Sequence, residues 1–390
     1  MCRFLVLALL CGALRADTVL VLPFFDHSKS GDLGWIGESI SESLHDALLS
    51  ENVLVLDRQD RLEAYRRLSL RPGAELTRAS VIKIGQALDA ARVVYGDYEL
   101  LPAGDGNSQS RGSLRISAHI LDLKRTTQGP AAGELGALED LTTLEAHLAW
   151  QVLEQLNPRG APPEHDFVNA RPAVRLDAVE SYVRGLLAAS PEQRHRFFTQ
   201  AARLDEHYSQ PCFQLGKTYW EQKEYKIAAG WFARVAATAP HYLEAQFFLG
   251  LCLYNQGDFN GAGQAFQIVS SSMPLNEVFN DLGASQSRRG QFAIAAASFA
   301  KAIEGDDADP DYHFNRGYAL WRAGQFDGAV ESFRAVLARN PADTEATTLL
   351  GRALKREGPR PAESRVEGRE RLKTDYEETA YRQLQAELAK

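Results

Sequence analysis

Residues able to do chemistry are present in this chain, but their spacing does not assemble them. The nine histidines are scattered through 390 residues, and none stands in a His-Glu-x-x-His or comparable ligand spacing. No Cys-x-x-Cys or Cys/His cluster occurs, so neither a metal centre nor a redox pair is expected. The polar loop GDGNSQSRGS (104–113) lacks the Gly-Lys-Ser/Thr ending that holds phosphates and reads as a hairpin connection. The acidic run Glu304, Asp306, Asp307, Asp309 and Asp311 lacks the ligand spacing and distal Glu of a calcium loop and reads as a solvated turn. Catalytic residues, metal ligands and cofactors are therefore all expected to be absent. The formal net charge of -8 argues against nucleic acid as the main partner, because neutralising phosphates needs clustered Lys and Arg. What remains is a binding protein.

The elements that could carry a binding surface are repetitive. Gly216, Gly250, Gly283, Gly317 and Gly351 follow one another at spacings of 34, 33, 34 and 34 residues. In phase with the first four come Tyr225, Phe259, Phe292 and Phe326, then Ala228, Ala262, Ala295 and Ala329, then Phe232, Phe266, Phe299 and Phe333. Pro240, Pro274 and Pro341 close three of the four units. Each unit holds two stretches of helical periodicity, broken at Gly257, Gly290 or Gly324, where a reversal costs least. Small residues let the paired backbones approach, and the aromatics fill the space between hairpins. One such hairpin cannot bury its apolar face alone, so the units must stack. His207 and His241, 34 apart, are explained by the repeat without a metal.

This pattern resembles the tetratricopeptide repeat (TPR), with its Leu-Gly, later Ala, aromatic and closing Pro in the same register. The resemblance covers 177–358, with a degenerate first unit in ESYVRGLLAAS and a last unit lacking its second helix. It implies a solenoid whose first helices line a concave groove. Carried onto this chain, the groove positions are Phe213, Lys217 and Trp220, then Phe247 and Tyr254, then Asn280, then Phe314, Tyr318 and Trp321. Glu221, Glu244, Leu251, Asn255, Glu277, Ala284, Ser287, Arg288, Asp311 and Arg322 share these faces. Aromatic and Arg side chains on one face suit a protein or peptide segment. Lys217, Asn280 and Asn315 do not fall in the register of the Lys/Asn clamp that holds a terminal carboxylate, so end recognition is not expected.

The first half alternates differently. Strands are expected at 18–25, 52–57, 92–101 and 114–123, and helices at 35–49, 58–68, 78–88 (capped by Thr77) and 141–156. That order gives an α/β domain with a small mixed sheet. The motifs VLPFFD (21–26), GWIGESISESL (34–44), VVYGDY (93–98) and ILDL (120–123) resemble the TolB-type amino-terminal domain, shared with envelope proteins of the flagellar and curli-secretion kind. The resemblance implies an envelope-associated interaction domain without catalytic residues.

The chain is thus expected to comprise a signal peptide (1–16), a TolB-like α/β domain (17–156), a linker (157–175), an all-α TPR solenoid (176–358), and a linker with a charged C-terminal helix (359–390). Arg3 and the apolar run 4–14 suit an export signal cleaved after Ala13 or Ala16, too short to span a bilayer. The product would be periplasmic or secreted; Leu10 before Cys11 disfavours a lipid anchor. The C-terminal helix rests on Leu372, Tyr376, Ala380, Leu384 and Leu388, a stripe suited to covering the open end of the solenoid. Six helical positions separate Cys212 and Cys252 by ~9 Å along the axis. A disulfide needs Cα atoms within ~7 Å, so two buried free thiols are expected. The functional expectation is a protein-interaction scaffold of the cell envelope; the alternative is a cytosolic ligand-sensing subunit relaying through its TPRs.

Overall fold

The computed structural model describes residues 18–28, 33–102, 112–359 and 370–377, with Ala380, Tyr381 and Leu384 beyond them. The expected signal peptide and most of the 104–113 loop lie outside the described residues. The chain divides into two units, Met1–Arg171 and Pro172–Lys390.

The first unit is built on a mixed sheet. Strands β1 (Val19–Val21) and β2 (Phe25–Asp26) both run parallel to β3 (Arg92–Leu101), which pairs antiparallel with β4 (Ser113–Asp122). Strands β5 (Thr127–Gln128) and β6 (Ala132–Ala137) pair antiparallel with β4. Leu114, Ile116, Ala118 and Ile120 are buried at alternate positions of β4, the two-residue period of a strand. Helices α1 (Trp35–Ser50), α2 (Arg58–Arg67), α3 (Arg78–Ala87) and α4 (Leu141–Leu156) lie where the periodicity puts them, and Thr77 caps α3 by accepting from the Ser80 N–H at 3.2 Å. Leu121 and Val93 pack with residues of α2 and α3.

One expectation needs correction here, and one strand lies outside the expected set. The 52–57 strand reduces to one bridge, Val55 to Val19, because Asp57 is already the N-cap of helix α2 and turns the chain away from β1. Strand β6 was not legible, since AGELGA holds no β-branched or aromatic residue; its pairing with β4 makes it a strand.

The motifs of this unit meet in space. A Cβ on Gly96 would lie 2.4 Å from the Phe24 ring, and one on Gly37 would lie 2.0 Å from the Phe24 carbonyl oxygen. Phe24 is thereby clasped between the helix and the sheet, and Tyr98 donates its hydroxyl to the Leu33 carbonyl at 2.8 Å. Behind them, Glu145 is fully buried and accepts from Ser39 at 2.7 Å and Ser43 at 2.6 Å. The buried Arg61 is held by Glu38 at 2.5 Å and by Ser41 at 2.5 Å.

Most of the expected linker belongs to this unit. Helix α5 (Glu164–Asn169) buries Phe167, and Trp150 donates to the Pro162 carbonyl at 3.0 Å. Arg171 stacks over the Phe167 ring at 3.5 Å and pairs with Glu51 at 3.0 Å. One apolar anchor in a polar, Pro-rich stretch was enough to fold it down.

The second unit stacks hairpins: α6 (Leu176–Leu187) with α7 (Pro191–Leu204), α8 (Ser209–Glu221) with α9 (Tyr225–Phe232), and α10 (Tyr242–Gln256) with α11 (Phe259–Ser272). They continue with α12 (Asn276–Arg288) and α13 (Phe292–Gly305), then α14 (Pro310–Arg322) and α15 (Phe326–Arg339), and the single α16 (Thr344–Leu354). The repeated residues now have contacts. Each first-helix glycine faces the phenylalanine of its own second helix. A Cβ on Gly216, Gly250, Gly283 or Gly317 would lie 2.6–2.9 Å from a ring carbon of Phe232, Phe266, Phe299 or Phe333. The aromatics therefore fill the inside of each hairpin; Phe232 also stacks at 5.7 Å on Phe248 of the next. Ala228, Ala262, Ala295 and Ala329 are all fully buried. The reversals at Gly257, Gly290 and Gly324 use φ of 85°, 74° and 75°, the left-handed region open to glycine. In the first well-matched unit Lys223 takes the same conformation, with φ 61°. Cys212 and Cys252 are both free and fully buried.

Candidate peptide-binding face

The first helices α10, α12, α14 and α16 lie side by side and present one face to a segment of the same chain. Residues 370–377 (ERLKTDYE) cross that face without helical structure. The expected helix does not include them, because the face's side chains take up the main-chain groups that a helix would pair internally. Arg371 donates its N–H to Asn315 Oδ1 at 2.7 Å, and its carbonyl accepts from the amides of Asn280 and Asn315, both at 2.8 Å. The Lys373 N–H donates to Asp281 at 2.9 Å and the Glu377 N–H to Glu277 at 3.0 Å. Asn280 also accepts from the Asn315 amide at 2.8 Å, which ties the two asparagines to each other.

The segment's side chains enter matched pockets. The Glu370 carboxylate, almost wholly buried, accepts from the Ser287 hydroxyl at 2.6 Å and pairs with Arg288 at 2.8 Å. The Tyr254 hydroxyl lies 3.3 Å away from it and accepts from Arg288 at 3.1 Å. Arg371 extends the other way: it pairs with Asp343 at 2.7 Å, Asp311 at 3.3 Å and Glu345 at 3.4 Å, and stacks over the Phe314 ring at 3.6 Å. Lys373 reaches Asp309 at 2.7 Å and Asp311 at 2.8 Å. Leu372 packs against the apolar cluster that includes Ala284, Phe314 and Tyr318, and Tyr376 meets the Phe247 ring edge-on at 5.5 Å.

The charges respond to this burial. Desolvation pushes the Asp281 carboxyl well above the usual carboxylate range, against the Lys373 N–H and the Asn280 amide that favour its ionised form. Desolvation also raises Asp343, but the Arg371 guanidinium and the Ala346 N–H outweigh it and hold the carboxyl below its ordinary range. The acidic run at the α13–α14 junction, expected to be a solvated turn, thus contributes Asp309 and Asp311 to a cation pocket.

The nine sequence-expected groove residues divide accordingly. Phe247, Tyr254, Asn280 and Phe314 touch the segment. Tyr318 stacks on Phe314 and accepts from Arg322 at 2.9 Å, whereas Trp321 donates to the Glu357 carbonyl at 2.8 Å beneath Arg352. At the other end Phe213 stacks on His241 at 4.7 Å, Lys217 lies over Phe248 and pairs with Glu244 at 3.5 Å, and Trp220 packs on Tyr225 and Phe248. Sequence reasoning missed Asp281, Asp343 and the contribution of Asn315. Asp281 and Asn315 were findable: both lie two residues before the repeat glycine, where the neighbouring units have Phe248 and Leu349.

Helical hairpins with this glycine–phenylalanine register, stacked with their first helices side by side, define a TPR solenoid. The tetratricopeptide repeat family matches residues 213–270, 280–344 and 315–365, so this part of the chain is a run of TPRs. Among solved structures, the TPR protein YrrB, described as having an unusual peptide-binding site, is 20% identical with a TM-score of 0.42, covering 46% of this chain and 92% of that one. MamA (41-end) from Desulfovibrio magneticus RS-1 is 22% identical with a TM-score of 0.39, covering 44% and 99%. The first TPR domain of human RPAP3 is 21% identical with a TM-score of 0.29, covering 30% and 94%. No curated protein matches the chain significantly. No helix of the described residues is long and apolar enough to cross a membrane.

Proposed function

We propose that this protein is an interaction scaffold of the bacterial cell envelope that holds extended protein segments on the first-helix face of its TPR unit. The observation that carries this reading is the pairing of Asn280, Asn315 and Asp281 with the main chain of an extended segment. Main-chain hydrogen bonds supply affinity for any extended polypeptide, and the flanking pockets supply the choice among sequences. The envelope assignment rests on the export-like start of the chain and on the TolB-like motifs of the first unit. Phe213, Lys217 and Trp220 would extend the binding face along α8.

A photo-crosslinking amino acid at Lys217, with the exposed Ile294 on a second helix as control, tests this in cells. Adducts with another protein are expected from position 217 in the envelope fraction, and their loss is expected in the Asn280→Ala/Asn315→Ala variant. Adducts equal from both positions, or unchanged by the asparagine substitutions, would move binding off this face. Retention of residues 1–16 in the purified native protein would contradict export and favour a cytosolic regulatory subunit.

A further inference from the structure

The scaffold reading above leaves the ligand's sequence open, and the seated segment supplies it. We propose that the first-helix face selects an extended segment of pattern Glu-Arg-apolar-Lys, and that residues 370–377 occupy it in cis, so a partner binds by presenting the same pattern and displacing them.

Every charged side chain at the start of the segment meets its opposite. Glu370 faces Arg288, Arg371 faces Asp311, Asp343 and Glu345, and Lys373 faces Asp309 and Asp311. An acid at the Arg371 position would meet three carboxylates, and a base at the Glu370 position would meet Arg288. Like charges brought together at a desolvated contact penalise the wrong ligand more than the right pairs favour the correct one. Leu372 between them packs against the apolar cluster that includes Ala284, Phe314 and Tyr318, which sets the apolar position. Main-chain bonds on Arg371 and Lys373 pin the pattern from within, so the register cannot slip by one residue without exchanging the charged pockets.

The segment is tethered to its own site. A ligand joined by a short connection reaches an effective concentration of about 1 mM, so a cis segment with intrinsic affinity near 10 µM weakens a free competitor by roughly 100-fold. Sequence pattern and occlusion are therefore two aspects of one design: the tail excludes casual ligands and yields to one that matches it.

The test uses the full chain and a fluorescein-labelled peptide of residues 368–378, read by anisotropy. Arg371→Glu in the chain unseats the tail and leaves the face intact; Glu370→Ala/Lys373→Ala does the same without adding charge. Both variants are expected to bind the labelled peptide at least about tenfold tighter than the wild-type chain. Adding Asn280→Ala/Asn315→Ala to either should abolish that binding, with helicity unchanged by circular dichroism. A labelled peptide carrying Arg371→Glu should bind the opened chain roughly 10–100-fold more weakly. Equal affinity for wild-type and tail-substituted chains overturns the cis occlusion, and equal affinity for the two peptides overturns the sequence pattern. Concentration-dependent dimers of the wild-type chain that vanish in Arg371→Glu would also overturn it, by placing the tail on a second copy. Failure of peptide binding while groove crosslinks from position 217 persist in the wild-type chain rejects this inference alone; crosslinks from position 217 that are absent from the wild-type chain, or that the asparagine substitutions leave unchanged, reject the scaffold reading.

Discussion

Substitution of Gly283 by Ala measures the contact on which the whole solenoid depends. An added Cβ would lie 2.8, 2.9 and 3.0 Å from three carbons of the Phe299 ring, whereas ordinary contact begins at 3.4 Å. The ring is fully buried, so it must move by about 0.6 Å into a filled interior, and overpacking of this kind costs ~1–3 kcal/mol. Against this, Ala gains ~1 kcal/mol over Gly in a helix interior. Gly230, in the interior of α9, is exposed with no described atom within 4 Å of its would-be Cβ, so it isolates the second effect. Gly230→Ala should stabilise the helical unit by ~1 kcal/mol, and Gly283→Ala should be neutral or destabilising by up to ~2 kcal/mol. A gap of 2 kcal/mol corresponds to roughly 4–8 °C in melting temperature for a unit of this size. Melting would be followed at 222 nm, where the signal comes mainly from the helical unit, which holds eleven of the sixteen described α-helices. Phe299→Leu, introduced beside Gly283→Ala, should recover part of the loss through a positive coupling. If Gly283→Ala and Gly230→Ala raise the melting temperature equally, the glycine–phenylalanine contact is not what fixes helix spacing.

Lys223 holds a left-handed conformation that its counterparts leave to glycine, at a cost of ~1 kcal/mol, so Lys223→Gly should raise stability by about 0.5–1 kcal/mol in chemical denaturation. Burial raises the Glu145 carboxyl to about 7 from its usual 4.5, despite the Ser43 and Ser39 hydroxyls that favour the ionised form. Its contribution is present in full below pH ~4.5 and lost as pH rises through about 7, on the order of 3 kcal/mol. Glu145→Gln should therefore match wild type near pH 4.5 and exceed it at pH 8; parallel pH profiles in urea titrations would refute this.

Legibility followed the source of each signal. Repeat phase specified the hairpins, because glycine and phenylalanine recur wherever one helix must sit on another, and the helices of the first unit followed from apolar spacing. Strand β6 and helix α5 did not show, since each depends on a partner element: Gly133 and Gly136 are in a strand only because β4 lies beside them. The binding face was half visible. Its aromatics stood out by type, whereas Asp281 and Asn315 looked like ordinary polar residues until their repeat position was matched to Phe248 and Leu349. The tail departs from a helix for a physical reason: Leu372 and Tyr376 are four residues apart, which suits a helix, but the N–H groups of Arg371 and Lys373, on either side of Leu372, are taken up by Asn315 and Asp281.

The crossing of the tail over four helices also changes how the solenoid should unfold. In a repeat stack each hairpin feels only its neighbours, so the end units fray first and a long array loses its all-or-none transition. Here Glu370 joins α10 to α12 through Tyr254 and Arg288, and Arg371 joins α12 to α14 and α16 through Asn280, Asn315, Asp311 and Asp343. Eight residues thus bridge four successive units at once, beyond the nearest-neighbour contacts of the stack, and α16, with no second helix among the described residues, is tied inward by two charged pairs. With the tail seated, the C-terminal repeats should melt as one cooperative block. With it displaced, α16 and the α14–α15 hairpin should exchange their amide protons ahead of the rest, so that release of the tail by itself changes the cooperativity of the stack.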